Sequence, residues 1–419
     1  MCSEGRIQWT RELDELMKWG AGHGITDTTA LSSNLCCLGQ TLAVSHFPSA
    51  GGRGLQAQRP IKRGELILKV PSLALLTSDR ITAADQPLSL VLRHYPSLLP
   101  SQVLSICLLR ELSKGKASQW HPYLATVPRR YQLLASFTED ETRALQIDDA
   151  VRAAENSRKA VLSQWKEAVP VLEELGMKRK YRSYEAWVWA HSTVSSRTMH
   201  IPGDKAGCLC PVGDLFNYAA PDVTDLNGTD GVYSEESGAY CFYARKDYEE
   251  GEQVMLSYGT YTNLELLEHY GFVLDDNPNE KIFLRLEGTM EALTWPKDSL
   301  FIDGKGRPSF ALAAMLRRWA AQPRERKSAG RAVSCGAVVS VENEIRVLNW
   351  LAERCCFVLR GFESCLEDDE GVLLRVGEED DAGCLNLAVR LRVVHKRALA
   401  NCVAFCRESL DNLRRNNTL

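Results

Sequence analysis

Residues 256–272 read Leu-Ser-Tyr-Gly-Thr-Tyr-Thr-Asn-Leu-Glu-Leu-Leu-Glu-His-Tyr-Gly-Phe, which predicts the end of a strand, a tight turn and a short helix. Thr262 and Glu265 have the spacing of a capping box, in which each side chain bonds the backbone N–H of the other residue. Gly271 follows the last helical turn, where a left-handed residue is usual. Tyr258 lies where the strand meets the turn, and we expect its hydroxyl to point into a cleft. The alternative is an ordinary strand tyrosine that only packs or caps.

The composition is that of a globular protein of two or three domains. The chain has 419 residues, of which 45% are hydrophobic and 25% charged, close to the average for soluble proteins. The formal net charge of −4 gives no electrostatic reason to expect nucleic-acid binding. No apolar run reaches the length of a membrane span, and the N-terminus lacks the features of a secretory or transit peptide. We therefore expect a cytoplasmic or nuclear protein without membrane contact.

The fourteen cysteines do not form a metal-binding or disulfide pattern. They provide no pair of CxxC units and no neighbouring histidine at ligand spacing, so we predict no metal site. Buried, reduced thiols in a reducing compartment are the favoured interpretation. A zinc site built on Cys208 and Cys210 is the less favoured alternative.

The first ninety residues predict one helix followed by strands. Residues 10–19 have an amphipathic pattern that Gly20 should end, and Leu42 opens a β-type run. The cluster Gly51-Gly52-Arg53-Gly54 lacks the ending of a phosphate-binding loop and precedes no helix. Its glycines permit close approach of the backbone to a ligand, or simply a flexible hairpin turn. A turn at Gly64 should then enter a strand that ends before Pro71.

Residues 88–189 have a helical pattern. Ser101 is expected to cap a buried helix that Gly115 closes, and residues 140–175 to form a surface helix or a helix pair. Ser183 opens a further helix, on which His191 is expected to be a packed core residue. Arg197 near the end of this helix lies in an apolar, serine-rich setting, so it must find a carboxylate or ligand partner.

Polar residues then appear between apolar ones. Asp214 and Asn217 lie three residues apart, where they either bind a ligand or make local turn bonds. Residues 240–245 are predicted to pair with residues 253–258 as a hairpin. From residue 287 onward, three helical segments (309–319, 341–358 and 385–415) flank a small-residue segment (328–340) and an acidic one (363–382).

In this order, the segments resemble SET-domain protein methyltransferases, in the branch typified by Rubisco large-subunit methyltransferase. The resemblance rests on five ordered motifs: Gly52-Arg53-Gly54-Leu55 with Ile61 to Glu65; Trp120 to Leu124 with Val127-Pro128; Trp189 to Arg197; Asp214-Leu-Phe-Asn-Tyr218; and Ser257-Tyr258-Gly259 with Asn263 to Leu267 and Tyr270-Gly-Phe272. We expect a plant member of this branch.

The resemblance implies an α+β fold. A SET catalytic domain of small β-sheets would occupy residues 41–285 and carry a helical insert at about 90–190. Residues 1–40 would form a helical lead-in, and residues 286–419 an all-α substrate-binding domain.

The resemblance also implies S-adenosylmethionine as methyl donor and a protein substrate, with a lysine side chain as the usual acceptor. Tyr258 would be the catalytic tyrosine. The donor would be bound by Gly51, Gly52, Arg53, Arg197, Asp214, Asn217, the main chain of Tyr218, Gly271 and Phe272. Tyr270 and Asp214 would contact the substrate. We expect a monomer that needs no metal.

One departure from the family pattern bears on function. Tyr218 stands where the family usually has histidine, so any hydrogen bond from an imidazole is lost while main-chain contacts remain. Two alternatives to a lysine methyltransferase stay open, and the Tyr218 departure supports only the second. One is a protein-histidine methyltransferase, an activity found in the same branch, and the other is a SET-fold binding module without turnover.

Overall fold

The computed structural model describes residues 11–28, 36–48, 52–221, 230–286, 295–375 and 383–416. The chain divides into two compact units. Unit 1 comprises Met1–Thr138, Arg152–Thr260 and Leu267–Phe272. Unit 2 comprises Glu139–Val151, Tyr261–Leu266 and Val273–Leu419.

The secondary structure is α+β, as expected. The helices are α1 (Arg11–Gly22), α2 (Ser78–Ala84), α3 (Gln86–Leu92), α4 (Pro100–Lys114), α5 (His121–Thr126), α6 (Glu139–Ala144), α7 (Asp148–Glu174), α8 (Arg179–Arg182), α9 (Tyr184–Arg197), α10 (Asn263–His269), α11 (Phe310–Trp319), α12 (Arg326–Ser334), α13 (Val341–Arg360), α14 (Leu366–Arg375) and α15 (Cys384–Asn416). The strands are β1 (Leu42–Phe47), β2 (Gly52–Ala57), β3 (Leu66–Pro71), β4 (Thr198–Ile201), β5 (Asp204–Leu209), β6 (Asn217–Tyr218), β7 (Gly231–Ser234), β8 (Ala239–Tyr243), β9 (Gln253–Leu256), β10 (Lys281–Phe283) and β11 (Phe301–Asp303).

Small sheets form unit 1. One has the order β1-β2-β9-β6, antiparallel except for the parallel β6–β9 pair. A second has the order β3-β8-β7, and β4 pairs with β5. The parallel pair places Asn217 beside Met255 and Tyr218 beside Leu256, so β6 runs alongside the strand that leads to Tyr258.

The predicted hairpin between residues 240–245 and 253–258 is wrong. Strand β8 pairs with β3 and β7, whereas β9 pairs with β2 and β6. The residues between β8 and β9 lead from the β3-β8-β7 sheet to the β1-β2-β9-β6 sheet. They are held there by a bridge between Tyr248 and Ile61 and by the Gly251 N–H, which donates to the Ala57 carbonyl at 2.9 Å.

Two predicted helix boundaries are also wrong. Helix α1 continues through Gly20, which is buried so close to Cys37 that an added Cβ would lie 2.9 Å from its Sγ. Glycine is thus required there for packing rather than as a helix end. Helix α4 begins at Pro100, and the Gln102 side chain accepts from the Leu99 N–H at 2.7 Å, so Ser101 is not the cap. The predicted end at Gly115 is confirmed, with φ of +56°.

The core of unit 1 holds the large side chains of Trp120, Trp187 and Phe216, all almost fully buried. One buried carboxylate organises the chain before β1. An Oδ atom of Asp27 accepts the backbone N–H groups of residues 39–42 at 2.8–3.0 Å. An ionised carboxylate suits this position because it is acceptor-only and has several lone pairs.

Unit 2 is mainly helical, and its three predicted long helices are confirmed as α11, α13 and α15. The small-residue and acidic segments between them contain part of α12 and all of α14. A buried ionic cluster joins α14 to α15: Asp369 accepts from Arg392 at 3.0 Å and from Lys396 at 2.7 Å. Lys396 is 1% exposed, so loss of this carboxylate would leave buried cations unpaired.

The described cysteines are free thiols. Within the described ranges, no helix combines the length and apolar character needed to span a bilayer.

Candidate active site

Tyr258 lies two residues beyond β9 in unit 1. Its hydroxyl donates a hydrogen bond to the Phe216 carbonyl, directly before β6. Burial raises the pKa of Tyr258 above its ordinary value, with the nearby Arg197 opposing the rise. The phenol therefore stays protonated near neutral pH, and its oxygen keeps lone pairs to accept further weak bonds.

Four aromatic rings meet around this tyrosine. The centroid of Tyr258 lies 5.3 Å from Tyr218 and 5.2 Å from Tyr270. Phe272 completes the set at 5.7 Å from Tyr218 and 6.2 Å from Tyr270. These four residues contact one another in a closed circuit, which we call the aromatic cluster. Such a surface suits an apolar or cationic side chain.

The local sequence explains how Tyr270 and Phe272 reach this position. The predicted capping box at the start of α10 is confirmed: the Thr262 N–H donates to Glu265 at 2.7 Å, and the Glu265 N–H to Thr262 Oγ1 at 3.3 Å. Gly271 has the predicted positive φ, +81°. It also approaches Gln132, whose carbonyl oxygen would lie 3.2 Å from an added Cβ. Any side chain at 271 would disturb the two flanking aromatic residues.

Arg197 and Asp214 form the charged part of the site. The guanidinium Nη1 of Arg197 donates to the Asp214 carboxylate at 3.0 Å and to its main-chain carbonyl at 3.1 Å. Tyr123 donates its hydroxyl to the same carboxylate at 2.8 Å. Burial opposes the charge of Arg197, but Asp214, Tyr131 and Tyr123 together outweigh burial, and the pKa of the arginine is raised. The expectation that Arg197 needs an acceptor is therefore confirmed.

Strand β2 approaches the same region. The Asn217 side chain donates to the Arg53 carbonyl at 3.1 Å, and Arg53 Nη2 donates to the Thr126 carbonyl at 2.6 Å. At Gly54, an added Cβ would lie 2.7 Å from the Asn217 amide nitrogen. Glycine is therefore needed for β2 to pass this close to β6.

The charges favour an additional anion. Burial and the nearby Arg197 lower the pKa of Arg53, and the carboxylate that opposes this lowering, Asp214, is already paired with Arg197. Among the described residues, the buried Nε of Arg197 has no acceptor. The Arg197 side chain is 21% exposed, although its Nε is itself buried. A carboxylate-bearing ligand would satisfy this donor and offset the repulsion between the arginines.

The structure brings most of the predicted site residues together in unit 1: Gly52, Arg53, Arg197, Asp214, Asn217, Tyr218, Tyr258, Tyr270, Gly271 and Phe272. Gly51 lies outside the described residues. Sequence reasoning missed Tyr123, although the Trp120-His-Pro-Tyr-Leu motif contains it. His191 is mostly buried, and burial together with His269 lowers its pKa to about 4, so it is neutral.

No group of three or more His, Cys, Asp or Glu side chains in the described ranges has the arrangement of a metal site.

Comparison with known proteins identifies the family. The SET-domain profile matches residues 52–259. Protein SET DOMAIN GROUP 40 of Arabidopsis thaliana is 42% identical over 96% of this chain and 96% of its own length. The chain belongs to the SET-domain family. Its residues 296–399 match the Rubisco LSMT substrate-binding family, so this SET-domain protein also carries the second domain of that branch.

Other relatives connect this SET-domain protein to characterised protein methyltransferases. The actin-histidine N-methyltransferase of Homo sapiens is 27% identical over 84% of this chain, which spans 63% of that enzyme. The structure of Rubisco LSMT bound to sinefungin and monomethyllysine superposes with a TM-score of 0.69 at 20% identity, covering 97% of this chain and 94% of the other. At that identity the likeness establishes the fold. By family, the chain is a SET-domain protein methyltransferase related to both.

Proposed function

We propose that this SET-domain protein is an S-adenosylmethionine-dependent protein-lysine N-methyltransferase. The observation that carries the proposal is the position of Tyr258, two residues beyond β9 and within electrostatic range of the Arg197–Asp214 pair with its unsatisfied Nε donor. Two solved structures of one protein of the same fold support it: Rubisco LSMT has been seen bound to AdoMet, and to sinefungin with monomethyllysine.

The arginine pair suits the amino-acid part of the methyl donor. Arg197 would bind the donor carboxylate through its free Nε edge, while Asp214 holds the guanidinium in place. Gly52 and the main chain of Arg53 would lie against the same part of the donor, together with Gly51. When bound, the donor supplies a methyl group on a sulfonium, which is displaced in line, so alignment is the main requirement.

The remaining donor contacts are proposed on β6 and after α10. The Asn217 side chain and the main chain of Tyr218 would border the adenosine part, and Gly271 with Phe272 would close it. The parallel pairing of β6 with β9 fixes Tyr218 relative to the strand leading to Tyr258.

Tyr258 would act as a hydrogen-bond acceptor rather than as a base. Its proton is committed to the Phe216 carbonyl, and burial keeps the phenol neutral. The lone pairs of its oxygen are free to accept weak C–H···O contacts, which strengthen as positive charge builds on a methyl group in transfer.

The substrate side chain would approach over the aromatic cluster, where Tyr270 and Asp214 would contact it. A lysine must lose its proton before it attacks, and a desolvated aromatic surface lowers the pKa of an amine. Residues 296–399, which match a substrate-binding family, would hold the protein that carries this side chain.

A protein-histidine methyltransferase is the second candidate. It is favoured by the 27% identity to actin-histidine N-methyltransferases over 84% of the chain. A neutral imidazole would also fit against four aromatic rings, because it presents a π-face.

A calorimetric titration with S-adenosylmethionine, followed by reaction with labelled donor and cell extract, tests the proposal. We expect saturable donor binding and label on a protein whose modified residue, identified by mass spectrometry, is lysine. A modified histidine would select the second candidate. Absence of donor binding by a folded protein would exclude both and leave a binding module.

A further inference from the structure

The turn Ser257-Tyr258-Gly259 is held at both ends by polar groups outside the proposed chemistry. On one side, the backbone N–H of Ser257 donates to the Asp230 carboxylate. On the other, the Tyr218 hydroxyl donates to the Gly259 carbonyl at 2.9 Å. The Tyr258 hydroxyl makes a third bond, to the Phe216 carbonyl. Tyr258 is thus restrained by one hydrogen bond before it, one after it and one from its own side chain.

A buried ion pair supports the first of these bonds. Arg245 Nε lies 3.0 Å from the Asp230 carboxylate, and the two side chains are only 10% and 3% exposed. Arg245 Nη1 also donates to the Ala219 carbonyl at 3.0 Å. The Ala219 N–H in turn bonds the Leu256 carbonyl at 2.8 Å. The pair therefore connects the residue after β6 with the residue after β9.

The turn needs such support. Gly259 has φ of +131°, a conformation that glycine adopts without strain but that imposes little restraint of its own. A shift of the Tyr258 hydroxyl by a fraction of an ångström would misalign a displacement that depends on near-attack geometry.

We infer that the Tyr218 hydroxyl and the Asp230–Arg245 pair form a positioning clamp that fixes the Tyr258 turn for methyl transfer. The catalytic consequence rests on the proposed function, but the restraint of the turn does not. Tyr218 acts here through its hydroxyl, whereas its proposed donor contact uses only its main chain. The clamp residues are positioning residues, since none of them needs to touch the reacting atoms.

Tyr218→Phe removes one oxygen and tests the clamp with little change in packing. Tyr248→Phe is the matched control, because the Tyr248 hydroxyl is similarly buried and donates to the Met255 carbonyl of β9 at 3.2 Å. Two readouts are needed: amide hydrogen exchange of residues 256–260, and steady-state methyl transfer with donor affinity.

Loss of one such hydrogen bond should raise the exchange rate of the turn about tenfold in Tyr218→Phe and leave it unchanged in Tyr248→Phe. We also expect kcat to fall about tenfold in Tyr218→Phe, with KM and donor Kd unchanged. Arg245→Lys, which keeps the charge but loses the Ala219 bond, should show a smaller change in the same direction.

Equal exchange of the turn in Tyr218→Phe and wild type would overturn the inference, whatever the activity. Faster exchange with an unchanged kcat would overturn the catalytic part. A wild type that neither binds the donor nor transfers methyl would refute the proposed function, and the exchange measurement would still decide the clamp.

Discussion

Replacement of Arg197 by lysine separates donor binding from the integrity of the fold. Arg197 uses Nη1 for both bonds to Asp214, which a lysine ammonium can replace, while its Nε edge is lost. If that edge binds the donor carboxylate, Arg197→Lys removes one charge-assisted hydrogen bond, about 1.5–3 kcal/mol. We therefore expect the donor Kd to rise about 10- to 150-fold.

Titration calorimetry measures this effect, and thermal unfolding checks that the variant is folded. Arg317→Lys is the matched control. Arg317 makes a bidentate pair with Glu344 in unit 2, with both bonds at 2.7 Å and side chains 15% and 14% exposed. This change should lower stability without altering the donor Kd. An unchanged donor Kd in a folded Arg197→Lys variant would refute the assignment of Arg197.

Asp27→Ala should lower the free energy of unfolding by about 2–6 kcal/mol, because the buried N–H groups of Thr41 and Leu42 would lose their acceptor. The other two N–H groups from which Asp27 accepts can bond to water instead. Denaturant unfolding measures this loss. The control Asp14→Asn, at an exposed carboxylate, should cost less than about 0.5 kcal/mol. Equal losses of stability in the two variants would contradict the role of Asp27. Burial raises the pKa of Glu280 from 4.5 to about 7. The folded state therefore keeps a proton that the unfolded chain has lost, and stability should fall by about 3 kcal/mol as pH rises from about 4.5 to 7. Glu280→Gln should flatten that slope, and an unchanged slope would show that another group is responsible.

The sequence predicted those parts of the site whose signals are local. The capping box of Thr262 and Glu265 and the left-handed Gly271 depend on neighbouring residues, and both are confirmed. Arg197 was also predictable, because an arginine in an apolar segment requires an acceptor.

Long-range pairing was not predictable in the same way. Strands β8 and β9 follow one another closely, which favours a hairpin, yet Tyr248 bridges Ile61 and sends the chain to a different sheet. Asp230 and Arg245 carry no sequence motif. Their role is visible only once β6 and β9 lie side by side.

The same difficulty applies to Gly20. Its neighbours indicate a helix end, but its packing against Cys37, distant in sequence, requires glycine inside α1. Tertiary contacts thus overrode a local signal, as they often do for single glycines.

The effect of Tyr258→Phe on methyl transfer tests the central claim most directly. The variant keeps the four rings of the aromatic cluster and the Arg197–Asp214 pair, but it lacks the oxygen that would accept the C–H···O contacts from the methyl group. We expect the donor Kd to be unchanged and kcat to fall about a hundredfold, measured with labelled donor on the same protein substrate. A kcat equal to that of the wild type would contradict the assignment of Tyr258 as the catalytic tyrosine.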